Sequence, residues 1–192
     1  SPVSELSVRL PRARSSRLGS TTPRIFTPPA VTGPPGPCGC GCALTPATSR
    51  GFELVQFAEL VLGEAVIPWQ RWLFIHALEL DAWGLYRFKT VLCLVARQNG
   101  KTTALAILAL WRMLMEPGQT VLGTSTLLDY AKEAWEKCVA MAEGCPSLAK
   151  EFTFTGRRAS VRRENSSTTL TALNKSRYKT AAANRKGGRS LS

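Results

Sequence analysis

The chain has 192 residues, 44% of them hydrophobic, and carries 25 Lys and Arg against 13 Asp and Glu, a net charge of +12. That length suffices for one domain with a real core and is marginal for two. No apolar run approaches the ~18–20 residues of a membrane span and no basic-then-apolar secretory signal opens the chain, so the expectation is a cytoplasmic protein with no membrane partner.

The charge is uneven. Residues 1–50 hold six basic residues and one acidic, residues 51–150 nine and ten, and residues 151–192 ten and two. A near-neutral middle with basic flanks suits a compact domain whose ends seek phosphate, and equally a solvated basic tail.

Residues 1–50 are rich in Ser, Pro, Arg and Gly, with Ser15-Ser16, Pro28-Pro29 and Gly33-Pro34-Pro35-Gly36-Pro37. Few large apolar residues are there to offset the entropy of ordering, so this stretch reads as a disordered, basic N-terminal arm. It ends in Cys38-Gly-Cys40-Gly-Cys42. Zinc sites usually use a C-x₂₋₄-C spacing with a second ligand pair elsewhere. The C-x-C-x-C spacing therefore reads as an incidental loop cluster of free thiols, with a metal site as the alternative.

From Gly51 a folded domain is expected to run to residue 192. Phe52, Val55, Phe57, Leu60, Val61 and Leu62 suit an amphipathic helix that Gly63 stops, and Pro68 opens a second helix reaching Leu80. Its lone His76 reads as a packed or surface residue rather than a catalyst. Arg87 to Val95 reads as an apolar strand. It feeds Ala96-Arg97-Gln98-Asn99-Gly100-Lys101-Thr102-Thr103, and a helix follows from Thr102 to about Met115, ended by Pro117-Gly118.

Strand, loop ending Gly-Lys-Thr, helix is the order of a P-loop. Main-chain N–H groups and the helix dipole there hold a polyphosphate, with Lys101 reaching the β- and γ-phosphates and the Thr102 hydroxyl ligating Mg²⁺. The pattern G-x-x-x-x-G-K-S/T wants Gly at position 95, where this chain has Val95. The competing reading is a chance Gly-Lys-Thr surface turn.

Thr120 to Thr124 reads as a second strand, capped by Ser125-Thr126 into a helix from about Leu127 to Glu143. Alternating strand and helix imply βαβ units on a parallel sheet with flanking helices: an α/β, P-loop NTPase fold. Beyond Pro146, Glu151–Thr155, Ala159–Arg162, Thr168–Leu173 and Tyr178–Ala183 are short β-prone stretches. Gly187 to Ser192 is a turn.

Hydrolysis of ATP also needs an Asp for Mg²⁺ and a carboxylate to orient water. After Lys101 the acidic residues are Glu116, Asp129, Glu133, Glu136, Glu143, Glu151 and Glu164. Glu116 ends a helix, Asp129, Glu133, Glu136 and Glu143 lie on the next expected helix, Glu151 and Glu164 flank polar turns, and none ends an expected apolar strand. A nuclease centre needs clustered carboxylates, yet Asp81 and Asp129 are the chain's two Asp. One histidine without a visible partner does not support a Ser/His/Asp or Cys/His site.

Pro68-Trp69-Gln70, the run from Arg87 and Val95-Ala96-Arg97-Gln98-Asn99-Gly100-Lys101-Thr102 together resemble the large terminase subunit of tailed bacteriophages. Arg-Gln-x-Gly-Lys-Thr is that family's variant P-loop, in which the first Gly is commonly lost. Arg24-Ile25-Phe26-Thr27-Pro28-Pro29 and Gly51-Phe52-Glu53 are similar to versions from phages and prophages of actinobacteria, and the resemblance spans roughly residues 24–192. It implies an ATP-driven motor that packages double-stranded DNA into a procapsid in the bacterial cytoplasm. The expected partners are a portal protein, a small terminase subunit and further copies of the chain, and a nuclease domain cuts the concatemer. It also implies ATP and Mg²⁺ as cofactors. Gln70 would lie near the adenine, and Arg97 would sense or stabilise the γ-phosphate as the catalytic candidate. Gln98, Asn99, Gly100, Lys101, Thr102 and Thr103 would form the nucleotide cradle. Thr124-Ser125 matches the polar end of the second strand, without an assigned role.

In this family a turn like Gly187–Ser192, with Gly where this chain has Ser190, precedes an apolar strand carrying an Asp-Glu pair. The resemblance therefore suggests an incomplete motor domain, an N-terminal fragment able to bind ATP without completing hydrolysis or cleaving DNA. Two other classes stay open: a different P-loop ATPase or helicase-like protein, and a non-enzymatic basic nucleic-acid binder.

Overall fold

The computed structural model describes residues 20–154, 160–163 and 168–183. The turn at Gly187–Ser192 with Ser190, together with Ser15-Ser16, Thr155, Ala159 and Glu164, lies outside them. In chain order come α1 (Gly51–Gln56), α2 (Pro68–Ala77), α3 (Lys101–Met115), β1 (Thr120–Ser125), α4 (Leu128–Gly144), β2 (Val161–Arg163), β3 (Thr168–Thr171) and β4 (Arg177–Ala182).

α1 continues into one π-helical turn, Phe57–Val61, and Gly63 then takes φ +66°, a left-handed value that ends the helix. Pro68 sits at the first position of α2, where its missing N–H costs nothing. The Gln70 side chain reaches back and accepts from the Ile67 N–H at 3.2 Å, which satisfies one of the free donors of the first turn.

The sheet has the order β1-β4-β3-β2, with β1 parallel to β4 and the other two pairings antiparallel. It is mixed, not the parallel sheet that the strand–helix alternation suggests. The reason lies after residue 160, where short strands follow one another with only a few residues between them. A parallel neighbour needs a long crossover, whereas a hairpin needs a few residues. β3 and β4 are joined by Ala172–Ser176, in which Lys175 takes φ +71°.

That hairpin turn also finishes α3. Asn174 Nδ2 donates to the Met113 carbonyl at 2.7 Å and Ser176 Oγ to the Glu116 carbonyl at 3.1 Å. Carbonyls at a helix C-terminus need such outside donors.

α3 and α4 pack together and against the sheet through Ile107, Leu110, Trp111, Met113, Trp135, Val139, Leu170 and Tyr178, all buried. A second, smaller cluster of Leu44, Phe52 and Ile75 binds α1, α2 and the chain before them. The sequence places residues 1–50 outside the fold, yet Leu44 and Ser49 are fully buried, and Ser49 Oγ donates to the Ile75 carbonyl at 2.6 Å. Leu44 supplies the apolar anchor that the composition of the whole stretch hides.

Two expected strands are not strands. Arg87–Val95 pairs with no strand among the described residues, and Leu92 and Leu94 are 82% and 87% exposed. Phe152–Phe154 is irregular, though the Phe152 ring is buried. An apolar run shows what environment would suit a strand, but the ladder must come from a neighbour, and β1 stands at the edge of the described sheet without one on its outer side. Beside β1 lies a cavity of about 600 Å³ between α3 and α4, lined by Leu105, Leu108, Leu122 and Tyr130 among others.

Glu116, at the end of α3, is a structural hub. Its Oε1 accepts from Arg50 at 2.6 Å, Arg112 at 2.8 Å and the Tyr86 hydroxyl at 2.9 Å. Arg50 and Arg112 also lie over the rings of Trp111 and Tyr86. Glu116→Gln keeps the shape and removes the charge that three donors share. The expected loss is about 1.5–3 kcal/mol, the value of hydrogen bonds to a charged group, read as a lower urea midpoint at unchanged slope.

No helix among the described residues is long and apolar enough to cross a membrane.

Candidate functional site

The Gly-Lys-Thr loop opens α3. Gly100 is its N-cap, with φ +77° and ψ +21°, and Lys101 is the first helical residue. The Ala104 N–H donates to the Gly100 carbonyl at 3.0 Å, closing the first turn. The N–H groups of Lys101, Thr102 and Thr103 precede that bond and have no helical acceptor, and no side chain caps them. Gln98, two residues before Gly100, takes φ +60°. A non-glycine residue held there costs about 1–2 kcal/mol. Left-handed residues near a helix start are the backbone of anion-binding concavities.

The Lys101 ammonium folds back over the loop, donating to the carbonyls of Val95 at 2.9 Å and Ala96 at 2.7 Å. Val95, the residue out of pattern, thus contributes through its main chain, where side-chain identity matters little. A polyphosphate brought to the free amides of α3 would meet this cation across the loop, so the residues present fit an anionic ligand. For Mg²⁺ the fit is thinner. Thr102 offers one hydroxyl, and among the described residues Lys101 makes no salt bridge to a carboxylate.

α2 clamps this loop from outside. The Trp69 indole N–H donates to the Asn99 carbonyl at 3.0 Å, and Gln70 Nε2 donates to the Gly100 carbonyl at 2.8 Å. The structure brings Pro68-Trp69-Gln70 onto the loop. Gln70 is 2% exposed, with its amide nitrogen committed to Gly100 and its oxygen to the Ile67 N–H. It stands as a positioning residue for the loop, with one hydrogen bond at each end of its amide. Arg97, Gln98 and Asn99 are exposed, while Thr102 and Thr103 are partly buried.

Gly100→Ala tests this clamp. A Cβ there would lie 2.9 Å from Gln70 Nε2, on a residue with φ +77°. Backbone strain of about 1–2 kcal/mol adds to the displaced amide. The variant is expected to unfold at lower urea concentration, and quenching of Trp69 fluorescence by acrylamide should rise as the indole loses its carbonyl partner.

A second group of side chains converges elsewhere. Cys38, Cys40 and Cys42 meet His76 of α2, and their four ligand atoms all lie within 4.8 Å of one another. This departs from the incidental reading of the cysteines, and it places the buried His76 in a constellation rather than in plain core packing. Spacing could not reveal it, because the fourth member is far along the chain. All six cysteines are free. Burial, helped by hydrogen bonding with Cys40, pushes the Cys38 thiol up to about 12. At Cys40 burial acts in the same upward direction, but hydrogen bonds from Cys42 and Cys38 outweigh it and bring that thiol below its ordinary value. Burial lowers the His76 pKa, the Glu79 charge opposing it, and so favours the neutral imidazole.

Comparison of the chain with protein-family models, curated proteins and solved structures found no match.

Proposed function

We propose that the chain is an ATP-binding part of a DNA-packaging motor of the large-terminase class. What supports this reading best is the clamp of Trp69 and Gln70 onto Asn99 and Gly100. It joins the two stretches that carry the resemblance into one unit at the free N-terminus of a fifteen-residue helix. Such a terminus, with a lysine folded over the loop, has the chemistry to hold a nucleotide polyphosphate. Arg97, exposed on the same loop, is the candidate for the γ-phosphate, and Thr102 for the metal carried in with the nucleotide. The proposal is one of ATP binding; among the described residues Lys101 makes no salt bridge to a carboxylate.

Double-stranded DNA is the proposed macromolecular partner, on the strength of the +12 charge. Portal protein, small subunit and self-association rest on the resemblance alone. Titration with fluorescent ATP, paired with a salt series of DNA binding with and without ATP, tests the reading. Saturable ATP binding that alters DNA affinity supports a motor. DNA binding that falls steeply with salt and ignores ATP supports a passive basic binder instead.

A further inference from the structure

The proline-rich arm meets α2 at a cluster of thiols and an imidazole. Cys40 Sγ lies 3.2 Å from Cys38 Sγ, and His76 Nε2 lies 3.4 Å from Cys40 Sγ and 3.8 Å from Cys38 Sγ. Cys42 completes the group within 4.8 Å. A tetrahedral zinc ion with Zn–S of about 2.3 Å and Zn–N of about 2.0–2.1 Å separates its sulfurs by about 3.8 Å and sulfur from nitrogen by about 3.5 Å. The two sulfur–nitrogen separations bracket the expected value, and the Cys38 and Cys40 sulfurs lie somewhat closer than theirs. We propose that Cys38, Cys40, Cys42 and His76 bind one Zn²⁺ in a closed tetrahedral site that fastens the proline-rich arm to α2.

The local sequence is built for convergence. Gly39 and Gly41 take φ +82° and +85°, and a Cβ on either would meet nothing within 4 Å. These glycines are there for backbone conformation rather than for space, since left-handed values at both intervening positions are open to Gly at little cost. The Gly36 N–H donates to the Cys42 carbonyl at 2.7 Å and closes the loop on itself. Cys38 and Cys42 rest against the Leu44, Phe52 and Ile75 cluster, which fixes the loop's floor.

His76 is held from the other side. Its ring stacks on Trp72 at 3.9 Å between centroids with 14° between planes, and the Phe26 ring packs edge-on at 6.2 Å. Nδ1 is buried without a hydrogen-bond partner among the described residues, so Nε2, aimed at the sulfurs, is the ring's one polar engagement. A ligand histidine commonly has its other nitrogen fixed by a carbonyl or carboxylate. Here the aromatic stack does that orienting.

A disulfide accounts for two of these groups and leaves a third thiol and an imidazole pointed at the same place. Three thiolates and one imidazole in a tetrahedral array select zinc among the common divalent ions. With four protein ligands no position is left for water or substrate, so the site is structural. It is independent of the nucleotide loop, and either reading can fail without the other.

The test uses the full chain purified under reducing conditions. Metal analysis should find one zinc per chain, and Co²⁺ replacement should give the intense visible bands of tetrahedral thiolate coordination. Cys40→Ser and His76→Ala should lose both signals, and His76→Cys should restore them with a shifted spectrum. A strong chelator should lower the midpoint of thermal unfolding of the wild type and leave Cys40→Ser unchanged. Should either loss variant fail to fold, cobalt spectra of the wild type and His76→Cys decide. Wild-type protein that takes up neither ion after reduction, or a Cys38–Cys40 disulfide formed in the presence of zinc, would overturn the proposal.

Discussion

Lys101→Ala is expected to weaken ATP binding about 10- to 100-fold while leaving the fold in place. Hydrogen bonds to a charged group contribute about 1.5–3 kcal/mol, and each 1.4 kcal/mol is tenfold in affinity. The helix itself should tolerate the change, because Ala is the best helix former and Lys101 is partly exposed. What disappears is the ammonium and its bonds to Val95 and Ala96, so the loop loses both its phosphate partner and an internal tie. Fluorescent ATP titration reads the first effect, and circular dichroism checks the second. Equal, weak binding by both proteins would rule out a working nucleotide site. Lys101→Arg is a useful companion: it keeps the charge but not the compact ammonium that two adjacent carbonyls receive.

Glu79→Ala should cost about 3 kcal/mol of stability. Its carboxylate is 1% exposed and fully used, Oε1 accepting from the Ala30 N–H at 2.7 Å and Oε2 from Arg87 Nη1 at 2.6 Å. Removing one partner of a buried ion pair leaves the other uncompensated, at about 3–5 kcal/mol. Arg87 keeps 27% of its side chain exposed and a bond to the Pro28 carbonyl, which puts the cost toward the lower figure. At this chain length each kcal/mol shifts the thermal midpoint by about 2–4 °C, so a fall of about 6–12 °C is expected. Glu79→Gln, which retains an acceptor for Ala30, should lose less. A shift under about 2 °C for Glu79→Ala would mean that the arm contributes little to the fold. Limited proteolysis should also cut residues 20–40 faster in the variant, because Glu79 ties both Ala30 and, through Arg87, Pro28.

The middle of the chain was legible because each element carries its own punctuation. Pro68 opens α2, Gly100 opens α3, Pro117-Gly118 closes it, and β1 and α4 begin within about a residue of where patterning sets them. What the sequence hid is what depends on partners distant along the chain. The apolar run at 87–95 has strand chemistry, but nothing local says whether a ladder lies beside it. The antiparallel pairings of β2, β3 and β4 depend on turn geometry such as the left-handed Lys175, a residue type that does not announce a turn. At the loop, Gly-Lys-Thr and Pro-Trp-Gln were each visible, while their contact through Gly100 was not. The cysteines show the same limit most sharply: three alternate over five residues, and the imidazole that meets them comes from the far end of α2.

The exposed run at 91–94 matters to how the molecule behaves in a tube. Leu92 and Leu94 face water, and among the described residues no strand pairs with the outer side of β1. An exposed apolar segment and an open strand edge are surfaces through which copies of a chain can associate. Colloidal behaviour is therefore written into this fold alongside its conformational stability. Concentration is then expected to decide whether the chain stays dispersed, and a partner that covers the 91–94 run or the β1 edge is expected to act as its solubiliser.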